Sequence, residues 1–451
     1  PQPAHVANAD PQAVDRLADL DQGLKGKTKV AVIGGGWSGL AAAVELVAEG
    51  ADVTVFEAAR QLGGRARGVD IDGLRLDNGQ HILIGAYRET LRLMRSVGLD
   101  PEKLLRRLPL ELSYPAGGFR MKLPRIPAPF NLAFGLLGAR GITLWEKFSA
   151  VRFMRSLQGS DYRLDGDYSV AEFLNRHLQS GKLRRFMWEP LCLAALNTVP
   201  ENASAQIFAN VLRDSLGGQQ ADTDLLLPSS DLSSVFPNAA AEFIEKSGGC
   251  VRLATRVQEL RPDLEILGER FDHVILAVAP QHAVRFLEKQ EETMAVAEVI
   301  EGYSYEPIGT AYAAYPSDVR LPCPMLGLDD GKSDRLGQWV FAHNSDDNRT
   351  LLAFVLSARG AWDEEDAETL MRILHGELEQ ALGRSLTQPA WHRVIRERRA
   401  TFSCVPNLPR PAAKTAIPGL WLVGDYVCAD YPATLEGAIR SGVAVARAIR
   451  S

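Results

Sequence analysis

The clearest indication of the fold comes from residues 29–57, KVAVIGGGWSGLAAAVELVAEGADVTVFE. Its first five residues have the apolar run of a buried strand, Leu40–Glu49 the pattern of a helix, and Val53–Phe56 the pattern of a second strand. Such a βαβ unit joins parallel strands through a right-handed crossover. The chain is therefore predicted to contain a parallel sheet covered by helices.

The turn between the first strand and the helix carries Gly34-x-Gly36-x-x-Gly39, the spacing of a dinucleotide fingerprint. Gly34 permits a tight turn, Gly36 lets the backbone approach a pyrophosphate, and Gly39 lets helix and strand pack closely. The helix N-terminus, which includes Ser38, offers free N–H groups to phosphates. Glu57 ends the second strand and is expected to accept a hydrogen bond from a ribose hydroxyl. A purely structural glycine turn is the alternative.

A short motif after Glu57 favours FAD among the dinucleotides. QLGGRA at residues 61–66 places Gly64 and Arg65 close behind the acid. The guanidinium of Arg65 can pair with a phosphate through its several N–H donors. The alternative is a surface loop in which Arg65 is solvated and binds no ligand.

The stretch WLVGDYVCADYPATLEGAIRSG, residues 421–442, predicts another strand, turn and helix. Gly424 and Asp425 end the strand, where the acid can bind ribityl or ribose hydroxyls. A helix that begins at Thr434 and Leu435 can direct its positive dipole end at a flavin ring. We expect this stretch and the glycine turn to hold one FAD, and the sequence has no second GxGxxG for NAD(P)H.

Between these two motifs, the pattern predicts a strand pair around the turn Asp72-Gly73 and a mostly helical region at 168–216. Helices are predicted at 88–110 and 364–382, and strands at 256–260 (RVQEL), 303–315, 338–342, 350–357 and 390–397.

Four phrases, VIGGGWSGL, FEAARQLGGRA, DNGQHI and GDY…ATLEGAIRSG, resemble the flavin amine-oxidase and phytoene-desaturase superfamily over residues 29–451. The resemblance implies an α/β fold in which a glutathione-reductase-like FAD-binding domain, with a Rossmann-type parallel sheet, is interleaved with an α+β substrate domain. It also implies FAD contacts at Gln80 and Val257. The expected divisions are a flexible tail at 1–28, an FAD-binding domain at 29–105, 228–290 and 390–451, and a substrate domain at 106–227 and 291–389.

Longer phrases at 76–87, 188–218 and 224–244 are similar to one branch, the bacterial squalene-associated FAD proteins, or hydroxysqualene dehydroxylases, of hopanoid synthesis. The branch implies an apolar isoprenoid substrate, hydroxysqualene, whose allylic hydroxyl is replaced by hydrogen from reduced flavin. Such a reaction needs a proton donor, and His81 in DNGQHI is the candidate catalytic acid. A structural histidine is the alternative, and the proton donor would then be Asp77, Asp224, Tyr431 or a flavin-bound water.

Three rival functions share this fold. A carotenoid-type desaturase would run the redox chemistry in the opposite direction, from a polyene precursor to the flavin. An amine oxidase fits less well, because we assign neither its aromatic cage nor a lysine near the flavin. A non-enzymatic prenyl-chain carrier, like the GDP-dissociation inhibitors, need not bind flavin at all.

Composition and charge bear on the binding partners and the cellular location of the protein. The 451 residues carry a net charge of −6, which does not indicate binding to nucleic acid. The five cysteines stand apart without a C-x-x-C pair, so no metal site or disulfide framework is predicted. The sequence shows neither a secretory signal nor a run of 18 apolar residues. We expect a cytoplasmic protein, peripheral on the inner face of the membrane, whose electron donor the sequence does not identify.

The segment 120–159 differs from the rest of the chain. It holds seven basic residues against one acid, a local charge of +6. Among its large apolar residues are Phe130, Phe134, Leu136, Leu137, Leu144, Trp145, Phe148 and Phe153. Such a basic, aromatic stretch can lie in a membrane interface. A lid or core helix pair with a solvated basic face is the alternative.

Overall fold

The computed structural model describes residues 27–261, 263–332, 335–345 and 349–450. Of the predicted tail at 1–28, all but the last two residues lie outside the described ranges.

The strands, in chain order, are β1 (Lys29–Ile33), β2 (Asp52–Phe56), β3 (Gly68–Ile71), β4 (Leu74–Asp77), β5 (Leu83–Ile84), β6 (Leu105–Leu108), β7 (Glu111–Tyr114), β8 (Phe119–Lys122), β9 (Leu225–Pro228), β10 (Cys250–Arg252), β11 (Glu265–Ile266), β12 (Glu269–Arg270), β13 (His273–Leu276), β14 (Tyr305–Pro316), β15 (Met325–Gly327), β16 (Trp339–Ser345), β17 (Arg349–Ser357), β18 (Trp391–Phe402) and β19 (Leu420–Leu422).

The α-helices are α1 (Trp37–Ala48), α2 (Arg88–Ser96), α3 (Pro101–Leu104), α4 (Phe130–Gly138), α5 (Leu144–Gly159), α6 (Val170–Arg176), α7 (Gly181–Leu183), α8 (Glu189–Leu196), α9 (Ala205–Leu216), α10 (Leu232–Val235), α11 (Pro237–Lys246), α12 (Pro280–Leu287), α13 (Met294–Glu301), α14 (Ala367–Leu382) and α15 (Leu435–Arg450). A π-helical turn, Arg184–Trp188, joins α7 to α8. No helix in the described ranges is long and apolar enough to cross a bilayer.

A five-stranded parallel sheet forms the first layer, in the order β10-β2-β1-β13-β19. This is the doubly wound arrangement, in which ligands bind where the strand order reverses, at the carboxyl ends of the strands. Helices α1 and α15 pack together so closely that a side chain at Gly442 would collide with the carbonyl of Ser38. The predicted α/β class with a Rossmann-type parallel sheet is confirmed, while the domain boundaries stay a prediction.

The second sheet is antiparallel, in the order β15-β16-β17-β14-β18. One face packs on α14, where Leu370 and Leu374 join Phe354 of the sheet in a buried cluster. The opposite face, with Tyr312 and Phe341, belongs to a larger core that includes the helices between residues 130 and 216. This opposite face turns toward the DNGQHI segment, as described below.

Two predicted elements are wrong. The helix expected over 88–110 ends at Ser96, because Gly98 adopts a φ of +85°, and the chain then forms α3 and the strand β6. RVQEL is not a strand, although Val257 and Leu260 are buried. Its alternating apolar residues reflect burial of an irregular segment. The strand pair about Asp72-Gly73 is present, with both turn residues at positive φ.

Candidate FAD site and active site

The glycine turn separates into two residues that the fold needs and one that faces open space. Gly34 has a φ of +113°, and a Cβ there would lie 2.6 Å from the carbonyl oxygen of Ala277. A Cβ on Gly39 would collide with the carbonyl of Gly34. A Cβ on Gly36 would meet no protein atom within 4 Å. Gly36 therefore leaves room for a ligand, as the close approach of a pyrophosphate requires.

Helix α1 begins at this opening with its first turn uncapped. Gly36 is the N-cap, and no side chain hydrogen-bonds to the helix start. Ser38 is buried in the first turn. The peptide dipoles of α1 place partial positive charge here, so the turn suits an anionic group.

Glu57 lies against the glycine turn at the end of β2. Its carboxylate accepts from the N–H of Gly35 and from the N–H of Ala59, each at 2.7 Å. Its backbone carbonyl accepts from the N–H of Thr255 at 2.8 Å, two residues before Val257. The predicted contacts Glu57 and Val257 are thus brought to the same end of the site. The carbonyl of Val257 accepts from the guanidinium of Arg285 at 3.3 Å.

Gly64 and Arg65 connect the glycine turn to the closing motif. Gly64 has a φ of +61°, and its Cβ position lies 3.4 Å from the Cα of Gly36. The guanidinium of Arg65 donates to a carboxylate oxygen of Asp425 at 2.7 Å and to the carbonyl of Ala400 at 2.6 Å. These two contacts tie the front motif to the closing one. The pairing of Arg65 with a phosphate stays a prediction.

The closing motif has the predicted strand, turn and helix. Gly424 has a φ of +154°, and its N–H donates to the hydroxyl of Ser441 at 3.0 Å. Thr434 precedes α15, and its hydroxyl accepts from the N–H of Gly437 at 3.1 Å, while Leu435 is the first residue of the helix. The motif therefore lies beside α1 and beside Arg65, so the two halves of the predicted cofactor site are adjacent in the fold.

Glu436, which follows Leu435 in α15, is fully buried and accepts hydrogen bonds from the start of another helix, α2. Its carboxylate accepts from the N–H of Glu89 at 3.2 Å, the N–H of Thr90 at 3.0 Å and the hydroxyl of Thr90 at 2.7 Å. These are donors in the first turn of α2. Glu436 thus stabilises the start of a helix about 350 residues earlier in the chain, a role that the sequence did not indicate.

The segment DNGQHI passes along the face of the antiparallel sheet that is opposite α14. The N–H of Gln80 donates to the hydroxyl of Thr310 at 3.1 Å, and the hydroxyl of Tyr312 donates to the carbonyl of Asp77 at 3.2 Å. Nδ1 of His81 lies 2.8 Å from the carbonyl oxygen of Gly79. Sequence reasoning missed Thr310 and Tyr312, because their position beside this segment depends on pairing between distant strands.

Burial shifts the pKa values of His81 and Asp77 in opposite directions. Burial lowers the pKa of His81, which disfavours the imidazolium, and the charge of Arg65 acts in the same direction, although the bond to Gly79 opposes both. Burial raises the pKa of Asp77 to about 7, against the bond that its carboxylate accepts from the N–H of Leu232 at 2.7 Å. His81 is thus mostly neutral near pH 7.

A row of side chains on one face of the sheet extends from this segment to the edge of a cavity. Thr310 is paired with Val355, and Val355 with Trp339, so the three side chains share one face. Trp339 borders a cavity of about 350 Å³ that Tyr114 and Leu193 also line. The rings of Tyr114 and Trp339 lie 4.8 Å apart between centroids. Trp339 thus links the buried face of the sheet to the border of the cavity.

Two of the charged residues that line the cavity pair with each other. The guanidinium of Arg185, in the π-helical turn, donates to both carboxylate oxygens of Asp329 at 2.9 and 3.0 Å. The rim therefore offers no unpaired charge at this pair for an anionic ligand.

Comparisons with known proteins agree with this geometry. The model of the family described as flavin containing amine oxidoreductase matches residues 37–450. Hydroxysqualene dehydroxylase from Rhodopseudomonas palustris is 30% identical over 445 residues, covering 92% of this chain and 96% of that protein. Hydroxysqualene dehydroxylase from Sinorhizobium fredii is 28% identical over 442 residues, with the same shares covered.

Among solved structures, cyclohexylamine oxidase from Brevibacterium oxydans superposes with a TM-score of 0.66 at 18% identity, covering 94% of this chain and 99% of that one. This likeness concerns the fold alone. The open Cβ position at Gly36, the uncapped start of α1 and the joined front and closing motifs all fit FAD. The chain belongs to the flavin-containing amine oxidoreductase family and is an FAD-dependent oxidoreductase.

Proposed function

We propose that this protein converts hydroxysqualene to squalene by replacing an allylic hydroxyl with hydrogen. The observation that carries the proposal is the match to two hydroxysqualene dehydroxylases over 92% of the chain. When bound, reduced FAD supplies a hydride. In balance, the C–O bond breaks, a C–H bond forms, the flavin loses two electrons, and the hydroxyl leaves as water after gaining one proton.

The chain contributes a dry apolar surface. Val355, Trp339, Phe341 and Tyr312 lie on the face of the sheet that the Gln80 segment covers. A surface of this kind binds an isoprenoid chain by apolar burial and keeps water from an allylic cation.

His81 is the proposed proton donor. A hydrogen bond from Nδ1–H to the carbonyl of Gly79 fixes the ring and leaves Nε2 as the position for an exchangeable proton. Because burial lowers the pKa of His81, its protonated form is a minority at pH 7 and grows as the pH falls. Asp77 is less suited to this role, since its carboxylate holds the N–H of Leu232 at the start of α10.

The direction of the reaction is tested under anaerobic conditions. Photoreduced protein is mixed with detergent-solubilised hydroxysqualene, and flavin reoxidation is followed together with squalene formation. Oxidised protein is incubated separately with squalene and with phytoene. Reoxidation with stoichiometric squalene supports the proposal. No reoxidation by hydroxysqualene, with desaturation of phytoene by the oxidised protein, would establish the desaturase instead.

The role of His81 is tested by His81→Gln, which keeps hydrogen-bonding capacity without delivering a proton. A positioned acid contributes about 10²–10⁴-fold, so reoxidation by hydroxysqualene should slow by that factor while the flavin spectrum is retained. The wild-type rate should rise as the pH falls through the lowered pKa of His81. A glutamine variant with wild-type rate and pH profile would make His81 structural.

A further inference from the structure

Six large apolar side chains form an exposed patch on helices α4 and α5. Of the ten large hydrophobic residues that are exposed in the described ranges, the six between residues 130 and 148 are Phe130 (59% exposed), Phe134 (55%), Leu137 (63%), Leu144 (81%), Trp145 (58%) and Phe148 (60%). A cluster of this size on a water-facing surface marks an interaction site. These six residues are called the apolar patch below.

The patch is a consequence of helix geometry. Phe130, Phe134 and Leu137 follow one another at i, i+4 and i+7 on the outer face of α4, while Leu132 and Leu136 are buried. On α5, Trp145 and Phe148 lie on the outer face, with ring centroids 5.9 Å apart.

Two contacts hold the helices of the patch in place. The ammonium of Lys147 donates to the carbonyl of Leu137 at 2.6 Å and so ties the end of α4 to the first turns of α5. Glu146 forms a capping box with Thr143 and also accepts from the N–H of Leu183 at 3.1 Å. The apolar side chains are therefore presented by a braced pair of helices.

Arginines flank the patch. Arg125 precedes α4, Arg140 lies between the helices, and Arg152 and Arg155 continue the outer stripe of α5 beyond Phe148. All four are exposed, and none has a carboxylate partner within the described ranges. Two other basic residues of the segment, Arg120 and Lys122, are instead neutralised by Glu111.

Basic side chains continue the row of apolar side chains along the outer face of α5. At 1.5 Å per residue, Arg152 and Arg155 lie about 6 and 10 Å along α5 from Phe148. An interfacial helix buries its apolar side by about 5–10 Å, with basic residues at the level of the head groups.

We infer that the apolar patch docks on the surface of an anionic phospholipid bilayer, with the four arginines contacting lipid phosphates. The α4–α5 pair is joined to the cavity described above through α7 and the π-helical turn, since Leu183 contacts Glu146 and Arg185 lines the cavity. Docking would therefore bring the helices that border this cavity toward the lipid. Vesicle binding needs no substrate and no turnover, so it can be tested independently of the proposed reaction.

Binding is measured with the FAD-loaded full chain and vesicles of phosphatidylcholine with or without phosphatidylglycerol. Each arginine near an anionic surface is worth about five-fold in affinity, so Arg152→Gln with Arg155→Gln should weaken binding by about 30-fold. The matched control is Arg320→Gln with Arg372→Gln, two exposed arginines outside the patch. Binding of the wild-type protein should weaken as salt shortens the Debye length from about 30 Å at 0.01 M to about 3 Å at 1 M.

Insertion of the patch is followed through Trp145, the one of the seven tryptophans that is strongly exposed. Brominated lipids should quench part of the wild-type fluorescence, and Trp145→Phe should lose that quenching while still binding vesicles. Trp145→Ser with Phe148→Ser should weaken binding by at least ten-fold, whereas Leu253→Ser with Leu267→Ser, at exposed positions elsewhere, should not.

Two results would overturn the inference. One is the absence of binding to anionic vesicles, or binding that the patch variants leave unchanged. The other is a concentration-dependent dimer, measured by sedimentation, that Trp145→Ser with Phe148→Ser dissociates while vesicles remain unbound. The patch would then bind a second copy of the chain.

Discussion

Replacing Gly36 by alanine should change protein stability and FAD affinity in opposite directions. The apoprotein should become more stable, whereas FAD should bind more weakly. Gly36 has φ −78° and ψ 177°, which alanine adopts without strain, and its Cβ would touch no protein atom. Loss of unfolded-state entropy should then stabilise the apoprotein by about 0.4–1 kcal/mol. FAD binding should weaken, because the methyl group occupies the space through which a pyrophosphate approaches the start of α1.

The size of the binding defect follows from the donors at the helix start. Hydrogen bonds to a charged group contribute about 1.5–3 kcal/mol each, so displacing the pyrophosphate from two first-turn N–H groups should cost about 3–6 kcal/mol. The Kd for FAD should rise by about two to four orders of magnitude.

The assay pairs thermal unfolding of the apoprotein with FAD titration by flavin fluorescence. Gly376→Ala is the control, since Gly376 lies inside α14 with open space at its Cβ and should stabilise the protein with and without FAD alike. A Gly36→Ala protein that binds FAD as tightly as wild type would refute the cofactor assignment at this turn. A destabilised apoprotein would show that Gly36 is needed for folding.

Three further predictions concern the same site. Glu57→Ala removes the acceptor for two backbone N–H groups and for the expected ribose hydroxyl, so flavin retained after dialysis should fall with a 10- to 100-fold weaker affinity (about 1.5–3 kcal/mol); full occupancy would contradict this. Arg65→Lys cannot span Asp425 and the carbonyl of Ala400 together, so flavin should dissociate faster in stopped-flow exchange, and an unchanged rate would count against the tie. Asp77→Asn should stabilise the protein more at pH 8 than at pH 5: the raised pKa of Asp77 favours folding at low pH, and that contribution, about 4 kcal/mol, is lost as the pH rises from near 4 through 7. A shift in Tm that is equal at both pH values would refute it.

Local patterns predicted the parts of the site that lie on one stretch of chain. The glycine spacing indicated the strand, turn and helix of the nucleotide cleft, because tight turns and close packing restrict the residue type wherever they occur. Gly34 and Gly424 have positive φ angles, which glycine adopts more readily than other residues, so the residue type itself indicated these turns. The charge of segment 120–159 indicated an unusual surface, and the structure adds which of its residues are exposed.

Contacts between distant segments left no such signal. The hydroxyl of Thr310 accepts from Gln80 across 230 residues, and the register that lines up Thr310 with Trp339 is set by three strands together. The strand prediction for RVQEL was wrong for a related reason. An alternating pattern indicates that one side of a segment is buried, but it does not specify a strand with which that segment pairs. The role of Glu436 at the start of α2 depends on the packing of α15 against that helix.

The order of the parallel sheet also governs how the protein is made. The strand β1 pairs with β13 about 240 residues later, and β13 with β19, so the nucleotide cleft closes only after the intervening helices and the antiparallel sheet have been synthesised. Until then the apolar strands at the front of the chain lack their neighbours on one edge and are exposed to wrong pairing. A supply of FAD at the end of translation would capture the completed cleft by mass action, which links the yield of folded protein in a cell to its flavin status.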